Sequence, residues 1–147
     1  MAGSKYSKYV LKEPKGSGPP PRKPPTAQGI SLGEKGLQGI APIDCNFNFV
    51  GILSAHVLAD PPHKHDVDEI LFFISTEPGS ADLGGEVEVA LGEDWEKHVI
   101  TTPAVICLPA GVQHAPIYVK RVDRPFYFGH CLMAASYGSS ATPAPSP

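Results

Sequence analysis

Cysteine is scarce in this chain and offers no pattern. Cys45, Cys107 and Cys131 are an odd set without Cys-x-x-Cys spacing, which argues against a disulfide framework and for a reducing, cytoplasmic setting. Cys107 and Cys131 fall in apolar strands, so both read as buried, inert thiols. No apolar run approaches the roughly eighteen residues that span a bilayer, and Met1-Ala2-Gly3-Ser4-Lys5 leads into no hydrophobic segment. Neither a membrane span nor a secretory signal is expected. Also missing are a glycine-rich phosphate loop before a helix, a Gly-x-Ser-x-Gly elbow and a Cys/His pair of recognisable spacing. Nucleotide hydrolysis and acyl transfer are left without support.

Turn residues are plentiful: 17 prolines and 15 glycines punctuate 147 residues. Between the turns lie short runs with strand character and no helical periodicity of useful length. The pattern predicts strands near 47–58, 68–75, 85–91, 96–101, 104–108, 114–120 and 125–133. Many short strands with Gly/Pro turns argue for an all-β sandwich or barrel, and 41% apolar residues suffice for one core. Val87, Val89 and Leu91 should face inward, with Glu86 and Glu88 outward. The stretch 70–74 is apolar on both faces, so its outward side needs a second layer, either the N-terminal segment or another copy of the chain. Residues 1–28 form a Pro/Lys-rich arm expected to be extended or disordered; 29–136 form the single barrel domain, and 137–147 a flexible tail. Residues 1–40 carry a balance of +5 against −8 for the remainder. The basic charge is too sparse to suggest nucleic-acid binding; a solvated arm, or one lying on an acidic barrel, fits better.

The chemistry concentrates in Asp60-Pro61-Pro62-His63-Lys64-His65-Asp66-Val67-Asp68-Glu69. His63, His65 and Glu69 occupy odd positions, so on an extended chain all three can point to one side. Two imidazoles and a carboxylate suit a divalent transition metal. His114, delivered by the turn Pro109-Ala110-Gly111, is the best further donor. Asp66 and Asp68 have the opposite parity and read as surface charges or partners that orient an imidazole.

His-x-His-x-x-x-Glu followed by Pro-x-Gly-x-x-His resembles the motif pair of the cupin superfamily over roughly Phe47 to Met133. Four motif positions depart from the usual pattern. Val57 and Pro103 stand where glycines are usual, Gly79 is displaced, and Tyr118 replaces an asparagine. The resemblance implies a small single-domain cupin, a double-stranded β-helix or jelly roll, with one divalent metal (Fe, Mn, Ni, Co or Zn) on His63, His65, Glu69 and His114. It also implies a homodimer and a small-molecule substrate in the barrel cavity, with neither nucleic acid nor membrane as partner. His130 and His56 lie in barrel strands and are candidate acid/base groups, or else wall residues. Tyr118 would donate to a substrate or fill the barrel. Phe73 and Tyr127 read as walls, His98 as solvent-facing and Trp95 as a turn-edge cap. The expected function is Lewis-acid and proton-transfer chemistry on a small oxygenated or aromatic molecule, by an isomerase, lyase, decarboxylase or cyclase. An Fe(II) or Ni(II) dioxygenase and a non-catalytic ligand-binding barrel are the alternatives.

Overall fold

The computed structural model describes residues 5–10, 27–30, 44–134 and 140–141. The strands are β1 (Ala27–Ile30), β2 (Asn46–Ile52), β3 (His56–Ala59), β4 (His63–Lys64), β5 (Glu69–Ser75), β6 (Gly85–Leu91), β7 (Glu96–Ile100), β8 (Ala104–Leu108), β9 (His114–Val122), β10 (Phe126–Leu132) and β11 (Ser140–Ala141). A 3-10 turn at Ser7–Tyr9 is the one helical element among the described residues. No helix among them is long and apolar enough to cross a membrane.

Two antiparallel sheets result, as the alternating pattern requires. One runs β1-β2-β10-β5-β8; the other runs β11-β4-β9-β6-β7, with β3 also paired to β9. This is an all-β jelly roll. The run expected as one strand over 47–58 is two strands, β2 and β3, which lie in different sheets. The chain must cross between sheets there, and it breaks at residues 53–55 to do so. Ala27–Ile30 straddles the expected arm boundary and pairs with β2, while Ser140–Ala141 in the expected tail pairs with β4. The proline-rich run 16–25 lies outside the described residues.

Residues directly opposite one another on paired strands share a face. In the first sheet the inward rows are therefore Asn46–Leu132–Glu69–Leu108, then Asn48–His130–Leu71–Ile106, then Val50–Phe128–Phe73–Ala104. Polar groups collect at one end of the barrel. At the other end Phe73, Phe126, Ile52 and Leu83 are sealed from solvent, and each such side chain contributes about 1.5–3 kcal/mol by its burial. Val87 and Val89 stand opposite Val119 and Ile117 in the second sheet. All four are buried.

The outward face of the first sheet is also apolar. Phe47 stacks on Phe72 at 5.9 Å, and Phe49 meets Tyr127 edge-on at 6.0 Å. Gly129 sits beneath Phe72, where a Cβ would run into the ring and the Asn48 carbonyl. Cys107 opposes Ile70 on this outer face and is exposed, contrary to its reading as a buried thiol. It lies on the edge strand β8, where nothing among the described residues covers it. Tyr127 likewise faces out and is exposed, while Phe73 is core.

Candidate metal centre

The two sequence motifs meet across β4 and β9, where His63 stands directly opposite His114. His65 follows one step beyond β4, and its carbonyl accepts the Gly111 N–H at 2.8 Å. That bond ties the first motif to the turn that delivers His114. Gly111 has φ +86°, a conformation that glycine adopts without a Cβ penalty. Asp68 adds a second tie by accepting the Ala110 N–H at 2.9 Å. Its carboxylate thus holds a loop, not an imidazole.

The ligand atoms of His63, His65 and His114 lie within 4.8 Å of one another, so these three can hold a metal ion. Glu69 reaches two of them: Oε2 is 3.2 Å from His65 Nε2, and Oε1 is 3.4 Å from His114 Nε2. Yet Glu69 Oε2 and His114 Nε2, both buried, make no hydrogen bond of acceptable direction among the described residues. Donors each about 2.1 Å from one ion stand roughly 3.0–3.4 Å apart. The two Glu69 contacts match that spacing, and the three imidazole nitrogens, within 4.8 Å of one another, form a group that could hold an ion. His65, Glu69 and His114 are buried, whereas His63 is partly open and marks the accessible side.

Local bonds orient the rings. His63 Nδ1 donates to the Pro61 carbonyl at 3.0 Å, and His114 Nδ1 donates to the Val112 carbonyl at 3.2 Å. A carbonyl only accepts, so Nδ1 carries the hydrogen and Nε2 is left with its lone pair for a cation. Burial pushes the Glu69 pKa up to about 7. Burial, reinforced by the neighbouring His63, His65 and His130 and opposed by the Val112 bond, pushes His114 down to about 4.

His130 lies in the row next to Glu69 and faces the same interior. Its Nε2 donates to Asn46 Oδ1 at 3.1 Å, which leaves Nδ1 as the acceptor. Burial and the His65 imidazole push its pKa down to about 4. Asn46 is 3% exposed and was not singled out in the sequence. The available signal was a pair of amides, Asn46 and Asn48, alternating with Phe47 and Phe49 at the start of the strand.

Two expected site residues stand elsewhere. His56 opposes Val119, five residues along β9 from His114, or about 16 Å at the rise of a strand. Its Nδ1 donates to the Ser54 carbonyl at 2.7 Å, so it is a structural wall residue out of reach of the centre. Tyr118 opposes Glu88 and Val57 on the outer face and lies under the Lys120 ammonium. The cause is a bulge after His114. Leu91 pairs with His114 and Val89 with Ile117, so three steps on β9 match two on β6. Ala115 takes φ +70° within it. The extra residue reverses parity: His114, Ile117 and Val119 face in and Tyr118 faces out. His98 is 43% exposed at its side chain and pairs with Glu96 at 2.8 Å. Trp95 closes the turn after β6.

No protein-family model matches the sequence. No curated protein matches it either. Solved structures do match in shape. An oxalate oxidase in complex with glycolate aligns with TM-score 0.56 at 14% identity, over 95% of this chain and 65% of its own. This chain thus spans just under two thirds of that enzyme. The polyketide cyclase RemF from Streptomyces resistomycificus aligns with TM-score 0.54 at 11% identity, over 90% of this chain and 76% of its own. A cupin superfamily protein from Desulfitobacterium hafniense DCB-2 aligns with TM-score 0.51 at 14% identity, over 85% and 98%. The fold is the cupin fold.

Proposed function

We propose that this cupin is a metal-dependent enzyme acting on a small oxygenated or aromatic molecule by Lewis-acid and proton-transfer chemistry, as an isomerase, lyase, decarboxylase or cyclase. The observation that carries this reading is a half-buried His130, held through Nε2 by Asn46, beside a cluster of three other imidazoles. A module that only binds a ligand needs shape; a proton-transfer enzyme needs such a group.

His63, His65, His114 and Glu69 would hold one divalent ion, with Fe, Mn, Ni, Co and Zn all compatible with this donor set. When bound, the ion supplies polarisation of a carbonyl or enolate oxygen. The chain supplies the rest. With its pKa pushed down to about 4, His130 is neutral across the physiological range and would act as the base. It is a weak base, suited to a proton that polarisation of the substrate has already acidified. Leu71 and Ile106, in the same row as His130, line the interior beside it with apolar surface. Asn46 fixes the tautomer, so the proton acceptor does not alternate between the ring nitrogens.

Among the structural relatives are a cyclase and an oxidase, so the fold alone does not choose a reaction. The choice is tested by proton NMR. The metal-reconstituted protein is incubated anaerobically in D2O with a panel of small keto acids, hydroxy acids and phenols. We expect deuterium incorporation that falls at least ~100-fold in His130→Gln while metal content is unchanged. Equal exchange in His130→Gln, or turnover only when oxygen is admitted, would overturn the proposal; the latter result moves the assignment to a dioxygenase.

A further inference from the structure

The sulfurs of Cys45 and Cys131 lie 3.1 Å apart although 86 positions separate the residues. A disulfide bond is about 2.05 Å long, so the two atoms are within about an ångström of bonding. Register explains the meeting. Cys131 opposes Phe47 on β2 and Ile70 on β5, and Cys45 precedes β2 by one residue, with the parity of Phe47. Both thiols therefore lie on the outer face of the first sheet, at its β2–β10 seam. Both are partly buried, so a small reagent has access.

The third thiol cannot compete. Cys107 opposes Ile70 from the other side, so the whole of β5 separates it from Cys131. Two strand spacings amount to about 9.6 Å, beyond the Cα range a disulfide spans.

We propose that Cys45 and Cys131 form a thiol–disulfide exchange site, which closes intramolecularly when presented with a low-molecular-weight disulfide such as oxidised glutathione. One thiolate of the pair attacks a glutathione sulfur, forms a mixed disulfide and expels one glutathione thiolate. The second thiolate attacks the protein sulfur of that mixed disulfide, forms the Cys45–Cys131 bond and expels the other glutathione. The protein loses two electrons and two protons, and one glutathione disulfide becomes two thiols. Burial and the Cys45 contact push the Cys131 pKa up to about 11, so closure is faster at alkaline pH. The site has a structural consequence inside the barrel. Residue 46 follows Cys45 and pairs with Leu132, so the bond pins the strand ends that carry Asn46 and hence His130.

The test uses the full chain with Cys107→Ser, which removes the exposed thiol and leaves the pair. The variant is equilibrated with oxidised glutathione, quenched in N-ethylmaleimide and weighed as an intact protein. The expected result is a mass loss of two hydrogens with no maleimide or glutathione adduct. After dithiothreitol two maleimides add, and a digest of the oxidised sample contains a peptide joining residues 45 and 131. Two maleimide adducts after oxidation, or a stable glutathione adduct, would overturn the proposal. Cys45→Ser/Cys107→Ser controls for reagent access: it must take up a single adduct and show no mass loss.

Discussion

With its pKa pushed up to about 7 by burial, Glu69 keeps its proton through the mildly acidic range in the metal-free chain. A raised folded-state pKa contributes stability that is fully present below the ordinary value of about 4.5 and is lost as pH rises through about 7. His114 and His130 act in the opposite sense. Each is depressed from 6.5 to about 4, so its contribution is present above 6.5 and lost as pH falls through about 4. Glu69→Gln removes only the first effect. The melting temperature of metal-free Glu69→Gln relative to wild type should therefore climb between pH 4.5 and 7, as a pH series of thermal melts will show; parallel curves would contradict it. Glu69 must also lose its proton to bind a cation, so metal affinity should fall as pH drops below about 7. It should fall less steeply in Glu69→Gln, where the histidines alone still compete with protons. At this scale much was legible. The motif put His63, His65 and Glu69 in one place, but not by the route that period-two spacing implies. The run bends at Asp66–Val67 and crosses from the second sheet to the first, so Glu69 meets the imidazoles from the facing sheet. Asn46 was not legible, since only the register with β10 brings it to His130.

At the scale of the element, the bulge after His114 decides which residues the barrel sees. Strict alternation put Tyr118 beside His114, and the extra residue around Ala115 sends it to the outer face. A bulge often carries glycine, which would have been a signal; here the left-handed residue is an alanine. Tyr118→Phe should therefore leave metal content and turnover within about twofold of wild type. A loss comparable to that of His130→Gln would place the phenol in the mechanism after all. Close approach of β10 to β5 sets a second expectation. Gly129→Ala should cost about 1–3 kcal/mol by overpacking, visible as a melting temperature several degrees lower, because Phe72 and the Asn48 carbonyl occupy the space. An unchanged melt would mean that the seam yields more easily than its packing indicates. The boundary between β2 and β3 was illegible for a related reason: residues 47–58 read as one strand, and only the crossing between sheets divides them.

For the whole molecule, the sequence expressed the fold class clearly, because turns at short intervals between alternating runs leave little but a sandwich or barrel. It also flagged the apolar outer side of 70–74. That face holds Ile74 at 49% and Val105 at 63% exposure, beside the Phe47–Phe72 stack. We propose a second copy of the chain as the cover of its Ile74–Val105 end, with the Cys45–Cys131 seam at the other end left open. Sedimentation velocity should give a dimer that Ile74→Glu/Val105→Glu converts to a monomer; a monomeric wild type would contradict this. Such a change lies on the opposite side of the first sheet from the imidazole cluster, so metal content should survive it. The account rests above all on that cluster. Elemental analysis of protein purified without added metal, repeated on His63→Ala and His114→Ala, tests it most directly. We predict close to one transition-metal ion per chain in the wild type and its loss in both variants. No metal above background in the wild type, even after reconstitution, or unchanged metal in the variants, would contradict the account.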